Sequence, residues 1–402
     1  MPTPHVSVLA MRTSCERIVV CTFAFAFACG DNAVGVGAPL AHSDALFLAA
    51  HEDDDMIFMQ PELLRRISEG ASTTTIYATT AGPKGRGPGV LDAATVAYGK
   101  IAGSDAWECG PLRLGTIVVE HCRLRDRPVS LVDFGIADGT PSGNRTNSLL
   151  HLFDGSVQQL PADTAGSVTS ESVIDLFTDL LEATTPNAIE TLELAGSHGR
   201  DNSSHMFVAS IGLWAAARVG YSGSVTWHRG YNVDLEAPTL AGDDLSDART
   251  MLGYYEACVT HCGPCGQPCA SLREAHEIWL ARQYSTERVR AALGRLALGD
   301  RCLDASLSLG DCANAVAVEL EPTGALRVGE SCVTSSGTDQ LTLAPCTGAP
   351  EQYWVLDSDG LLWNGRPPQR APDMTYDHVR CLTPHGAPTC GANLQARWTI
   401  LR

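Results

Sequence analysis

From Ala45 to Ser285 short apolar or β-branched runs alternate with stretches of helical periodicity, and this constrains the fold more than any other feature of the chain. Ala45–Ala50 (ALFLAA), Thr74–Thr80 (TTIYATT), Thr116–Glu120 (TIVVE) and Ile189–Ala195 (IETLELA) read as strands buried on both faces, because their apolar or β-branched character is continuous. Met56–Glu69, Ser170–Ala183 and His205–Val219 carry helical spacing, with Glu171 in the first turn after Ser170. Strand–helix alternation of this kind builds a mostly parallel sheet covered by helices, and such sheets bind ligands beyond the carboxyl ends of their strands. After Ser285 the segments become short and turn-rich, with regularly placed Cys, Leu and Trp, and helical periodicity does not extend past Thr286–Leu298. That region reads as a second, all-β domain.

The 402 residues carry 46 Asp+Glu against 28 Lys+Arg, a formal net charge of −18, which excludes a nucleic-acid or anionic-lipid binder that works through a cationic face. With 44% hydrophobic residues the chain can bury a sizeable core. Its 15 cysteines point to an oxidising compartment. Arg12 and Arg17 precede an apolar run, Ile18–Ala28, of signal-peptide length and too short to span a bilayer. Two cleavage readings stand. Ala26-Phe27-Ala28 suits ordinary signal peptidase, and Ala28-Cys29-Gly30 resembles a bacterial lipobox end, with Cys29 lipidated as the sole membrane attachment. Met11 is an alternative start. The expected organisation is a signal peptide over 1–28, a linker over 29–42, an α/β domain over 43–285 and the all-β domain over 286–402. The Gly82–Gly89 loop (GPKGRGPG) lacks the ending of a phosphate cradle and reads as a loop at the mouth of the site.

His51-Glu52-Asp53-Asp54-Asp55 follows the first strand directly. Burying such a cluster unpaired would cost several kcal/mol per group, so it is either a solvated helix cap or a metal site. Imidazole and carboxylate ligands suit zinc, which in catalytic sites keeps three protein ligands and one open position. The fourth strand leads into another polar loop, His198 to His205, and His205 is a natural third ligand.

These residues resemble the PIG-L/LmbE-like de-N-acetylases: His51–Asp55 looks like that family's His-Pro-Asp-Asp-Glu motif, and Asp201–His205 like its second motif. Supporting similarity runs through Thr79–Gly82, Ala97–Gly103 and Leu149–Gly155. The resemblance implies a Rossmann-like, mostly parallel sheet with helices on both faces, a Zn2+ held by His51, Asp54 and His205, and Asp53 as general base toward the attacking water. Glu52 and Asp55 depart from the motif at positions not expected to touch the metal. Asn202 stands where many members have a His. It can donate to an oxyanion but delivers no proton, so His198, or Asp201 paired with a histidine such as His228, stands as a substitute. An Arg-Glu pair expected near Gly89–Thr95 is absent.

In the C-terminal region Cys302 and Cys312, Cys332 and Cys346, and Cys381 and Cys390 fall as three imperfect repeats, with Gln352-Tyr353-Trp354 closing the second and Ala396-Arg397-Trp398 the third. The pattern resembles the ricin B-type β-trefoil lectins. The resemblance implies a small trefoil-like domain with Asp304, Gln352 and Trp354 as candidate carbohydrate-binding residues, or a degenerate trefoil used for packing. Cys258, Cys262, Cys265 and Cys269 form either two disulfides or a zinc site, and Cys109 with Cys122 is a plausible pair. The two resemblances together imply an exported zinc amidohydrolase acting on an N-acetylated amino sugar or polysaccharide, with a lectin for targeting. The rival expectation is a catalytically silent scaffold that binds carbohydrate.

Overall fold

The computed structural model describes residues 39–80, 90–163, 165–199, 201–336, 340–367, 379–388, 390 and 395–402. The leader, Cys29 and the Gly82–Gly89 loop lie outside the described residues. Strands β1 (Ala45–Ala49), β2 (Thr73–Thr80), β5 (Val129–Ala137), β8 (Ala188–Leu192) and β9 (Ser224–His228) run parallel in the order β9-β8-β1-β2-β5. Antiparallel strands extend both edges: the hairpin β3 (Trp107–Leu114) and β4 (Ile117–Leu124) on β5, and β10 (Ser285–Glu287) on β9. A short hairpin, β6 (Leu160–Ala162) and β7 (Gly166–Val168), also joins β5. The sheet is therefore mixed, with its parallel part at the centre.

Helices cover both faces. Along β1, Ala45, Phe47 and Ala49 face a core shared with α1 (Asp54–Phe58), α2 (Glu62–Glu69), α3 (Val90–Ala102) and α7 (Gly242–Thr260). Leu46, Leu48 and Ala50 face the other core, with α4 (Leu149–Phe153), α5 (Ser170–Thr184) and α6 (Ser203–Val219). Burial on both faces is why β1 reads as an unbroken apolar run.

Several expectations are corrected. The helix expected over Met56–Glu69 is two, because Pro61 has no N–H to continue α1 and starts α2 instead. Thr116–Glu120 is not a parallel strand but part of the β3–β4 hairpin, held by the cross-strand disulfide Cys109–Cys122. β5, which the sequence reading passed over, is a central parallel strand. Within Thr286–Leu298 no helix forms: Ala292–Leu298 is a strand pairing with Ala317–Leu320 and Trp398–Leu401, so tertiary pairing overrides its local spacing.

The C-terminal region holds a large antiparallel sheet and a separate three-stranded one. Its disulfides are Cys302–Cys312, Cys332–Cys346 and Cys381–Cys390. The repeat is visible in hydrogen bonds. The indole of Trp354 donates to the Val333 carbonyl at 2.8 Å, and that of Trp398 to the Leu382 carbonyl at 2.8 Å. The first repeat has no Trp there, and the backbone N–H of Val316 reaches the Leu303 carbonyl at 3.1 Å instead. Cys258–Cys265 and Cys262–Cys269 close the remaining cluster as two interleaved staples. The six disulfides among the described residues fit an oxidising, extracellular setting. Among the described residues no helix is long and apolar enough to cross a membrane.

This region also packs against the first sheet. Tyr353, Val355 and Trp363 belong to the same core as Leu48, Ile189, Val225 and Trp227. The Tyr353 hydroxyl donates to the Tyr221 carbonyl at 2.9 Å, and buried Arg288 donates to the carbonyls of Tyr221 at 2.9 Å and Pro322 at 2.6 Å.

Candidate metal centre

The carboxyl ends of β1 and β8, adjacent in the sheet, feed helices on opposite faces, and a crevice forms where such connections diverge. The loop after β1 contributes His51 and Asp54, and the start of α6 contributes His205. All three are buried, and one ligand atom from each lies within 4.8 Å of the others. The Asp54 carboxylate is the hub. Its Oδ2 accepts from the His51 backbone N–H at 2.6 Å and lies 3.1 Å from His51 Nδ1, and its Oδ1 lies 3.1 Å from His205 Nε2.

Each imidazole has its other nitrogen on a carboxylate. His51 Nε2 lies 3.3 Å from Asp138 Oδ1, and His205 Nδ1 lies 3.1 Å from Asp201 Oδ1. Outer carboxylates of this kind fix the ring orientation of metal-ligating histidines and raise their basicity. Asp54 Oδ1 and His205 Nε2, both buried, face each other at 3.1 Å and have no further hydrogen-bond partner among the described residues. Two imidazoles and a carboxylate with inward atoms otherwise unused form a donor set that fits a divalent cation of the zinc type. Burial lowers the His205 pKa, but Asp54 and Asp201 outweigh it and bring it to about 9. Burial likewise opposes protonation of His51, and Asp54 and Asp138 again prevail. The Asp54 carboxyl, despite its burial, is held well below its ordinary range by the two histidines.

Asp53 differs from its neighbour. Its side chain is 21% exposed, stands at the start of α1 without capping it, and lies 3.6 Å from Arg273 Nη2. Burial and then Asp54 raise its pKa, against the fields of His276, His51 and Arg273. Asp55 is fully buried and accepts from the hydroxyls of Tyr98 and Tyr77. Burial raises its pKa to about 7. Beside the cluster Tyr231 lies over His205 at 4.8 Å between ring centroids and stacks on Trp279 at 4.4 Å.

Glu52 is fully buried, and neither carboxylate oxygen has a hydrogen-bond partner among the described residues. Burial, aided by Asp133, raises its pKa to about 8. The unfolded chain gives up this proton near the ordinary value while the folded chain keeps it, so Glu52 costs stability as pH rises from about 4.5 to 8. Glu52→Gln is therefore expected to stabilise the protein at pH 8 by on the order of 3 kcal/mol and to do little at pH 4.5. Urea titrations at the two pH values check this, and equal effects at both would refute it.

Other sequence candidates are engaged elsewhere. Asn202 Oδ1 accepts from the Ser204 N–H at 2.9 Å, so this side chain caps α6. His198 is committed at both nitrogens, to Glu193 at 2.6 Å and to Asp359 of the C-terminal region at 2.9 Å, and its pKa is raised chiefly by the Glu193 hydrogen bond. It links two parts of the molecule. His228 pairs with Glu190 at 2.9 Å and not with Asp201.

In the β region Gln352 is buried and fully bonded, accepting from Thr347 N at 2.7 Å and donating to Pro345 O at 2.9 Å and Thr334 Oγ1 at 3.0 Å. Trp354 is 0% exposed. Both are framework positions that turn no surface to a sugar. Asp304 is partly exposed, but its Oδ1 accepts from Ser306 Oγ and from the Ser306 and Ser308 N–H groups, and these bonds lower its pKa.

Asp138, Glu256, Arg273 and His276 escaped the sequence reading. Asp138 follows β5 directly, so recognising Val129–Ala137 as a strand would have pointed to it. The other three come from α7 and the segment after it, and no local motif marks them.

No family model matches the chain, and no curated protein matches it. Among solved structures the chain is similar to the β-trefoil lectin of the Vibrio vulnificus hemolysin/cytolysin, a structure with N-acetyl-D-lactosamine bound, at 18% identity and a TM-score of 0.22 over 27% of this chain and 93% of that one. It is also similar to a conserved protein from Thermus thermophilus, at 16% identity and a TM-score of 0.32 over 56% of this chain and 83% of that one.

Proposed function

We propose that the chain is a zinc-dependent amidohydrolase that removes the acetyl group from an N-acetylated amino sugar. The observation that carries this reading is the three-residue cluster itself, whose histidines are each backed by a carboxylate and which has one further, partly exposed carboxylate at its mouth. His51, Asp54 and His205 would hold the metal, and Asp138 and Asp201 would orient the two imidazoles. Zinc, when bound, supplies Lewis acidity and a water that ionises near neutral pH. Asp53 stands next to the ligand Asp54 with its carboxylate still reachable, the position of a base that takes the proton of the attacking water. The Tyr231–Trp279 wall offers apolar surface to a sugar ring. The all-β region, read as trefoil-like, would keep the chain on a glycan and raise local substrate concentration.

The test is zinc content together with acetate release from N-acetylglucosamine oligomers by the full chain. About one zinc per chain and steady acetate release are expected. A second reading, a silent carbohydrate-binding scaffold, is favoured by the commitment of Asn202 to the α6 cap and of His198 to Glu193 and Asp359. Zinc binding without acetate release from any amino sugar would decide for it.

A further inference from the structure

A cationic arm reaches the metal centre from a part of the chain no motif announces. Glu256, near the end of α7, is 1% exposed. Its carboxylate gathers three groups from the start of α8 (Glu274–Leu280): His276 Nδ1 at 2.6 Å, Arg273 Nε at 3.1 Å and the Arg273 backbone N–H at 3.2 Å. Backbone and side chain of Arg273 are thus held on one buried anion, although half of the side chain is in solvent. The remaining edge of the guanidinium is aimed at the site, with Nη2 3.6 Å from Asp53 Oδ2 and 3.4 Å from His276 Nδ1.

An ordinary exposed ion pair contributes little, because two mobile side chains must be ordered together. Here one partner is already ordered by Glu256, so the contact restrains Asp53 at a smaller entropic cost. Such restraint matters most for a base, since misplacement by about 1 Å can cost on the order of a hundredfold in rate.

We propose that Arg273, anchored on Glu256, is a positioning residue that holds the Asp53 carboxylate toward the metal cluster. The inference rests on the amidohydrolase reading for its kinetic consequence but not for its electrostatic one. A fixed cation beside the cluster opposes a second cation, so its removal tightens zinc binding whether or not the chain hydrolyses anything.

The test compares wild type, Arg273→Gln, Arg273→Lys and Glu256→Gln, with zinc affinity measured by chelator competition and acetate release by steady-state kinetics. Arg273→Gln is expected to bind zinc severalfold more tightly, to keep its melting temperature, and to lose at least tenfold in kcat with KM within twofold. Arg273→Lys should recover part of the kcat, and Glu256→Gln should fall between Arg273→Gln and wild type. An unchanged kcat in Arg273→Gln would overturn the proposal, as would a kcat loss accompanied by lost zinc and a lowered melting temperature. If wild type releases no acetate, hydrolysis itself fails, and the zinc affinities decide alone: tighter binding in Arg273→Gln supports the arm, and unchanged or weaker binding sinks it.

Discussion

Asp54→Asn is expected to lose zinc, and Asp53→Asn to keep zinc and lose acetate release. The two carboxylates are adjacent in sequence, but their surroundings separate them. Asp54 is fully buried and touches both histidines of the cluster, so its loss removes a ligand and leaves two imidazoles without their common partner. Zinc affinity should drop by more than about a hundredfold, since even outer-shell changes cost 10 to 100-fold. Asp138→Asn, which alters the carboxylate behind His51 Nε2 and the acceptor of the Ser204 hydroxyl and Thr140 N–H but leaves the three cluster residues in place, should fall within that smaller range. Asp53 touches neither histidine among its described contacts, and its replacement should spare the metal while lowering kcat by about 10² to 10⁴. Zinc content and acetate release on the same preparations check both halves. Equal zinc loss in the two variants would remove the division of roles.

A chain ending at Glu287 is expected not to fold, although it would retain the whole of the first sheet. In the full protein the edge of that sheet and α6 are covered by the C-terminal region. Tyr353, Val355 and Trp363 fill the face formed by Ile189, Val225 and Trp227, and Gly365 approaches Ala217 so closely that a Cβ there would lie 2.4 Å from the alanine methyl. Exposing large buried side chains costs about 1.5–3 kcal/mol each. Three such side chains, Ile189, Val225 and Trp227, come to about 4.5–9 kcal/mol, comparable with the margin of about 5–15 kcal/mol that a domain possesses. The full chain should therefore melt in one transition, and the truncated one should bind hydrophobic dye and aggregate. A truncated chain that melts cooperatively and binds zinc would show that the α/β part stands alone.

The candidate metal ligands were legible because each follows a strand whose burial pattern is plain, and the polar runs after Ala50 and Ala195 do not read as core. Asp138 was hidden because β5 was not recognised, which concealed the third loop at the same end of the sheet. Asn202 and His198 illustrate a different limit. Both lie in the loop that leads to His205, but helix capping claims the first and two carboxylates claim the second, one of them more than 150 residues away in the chain. Gln352 and Trp354 carry the repeat signature because the fold needs them inside, so the strength of that signature speaks to packing and not to sugar contact. Arg273 owes its place wholly to tertiary structure.

In sequence Glu256 and Arg273 lie on either side of the interleaved pairs Cys258–Cys265 and Cys262–Cys269, so the two bridges constrain the span between them. Before oxidation the same stretch would present four free thiols, soft ligands for zinc beside the proposed set of His51, Asp54 and His205. Closing the two bridges withdraws that decoy and fixes the span that brings Arg273 to Asp53. Two oxidations, one per bridge, would thus leave a zinc ion one destination and complete the surroundings of the proposed centre.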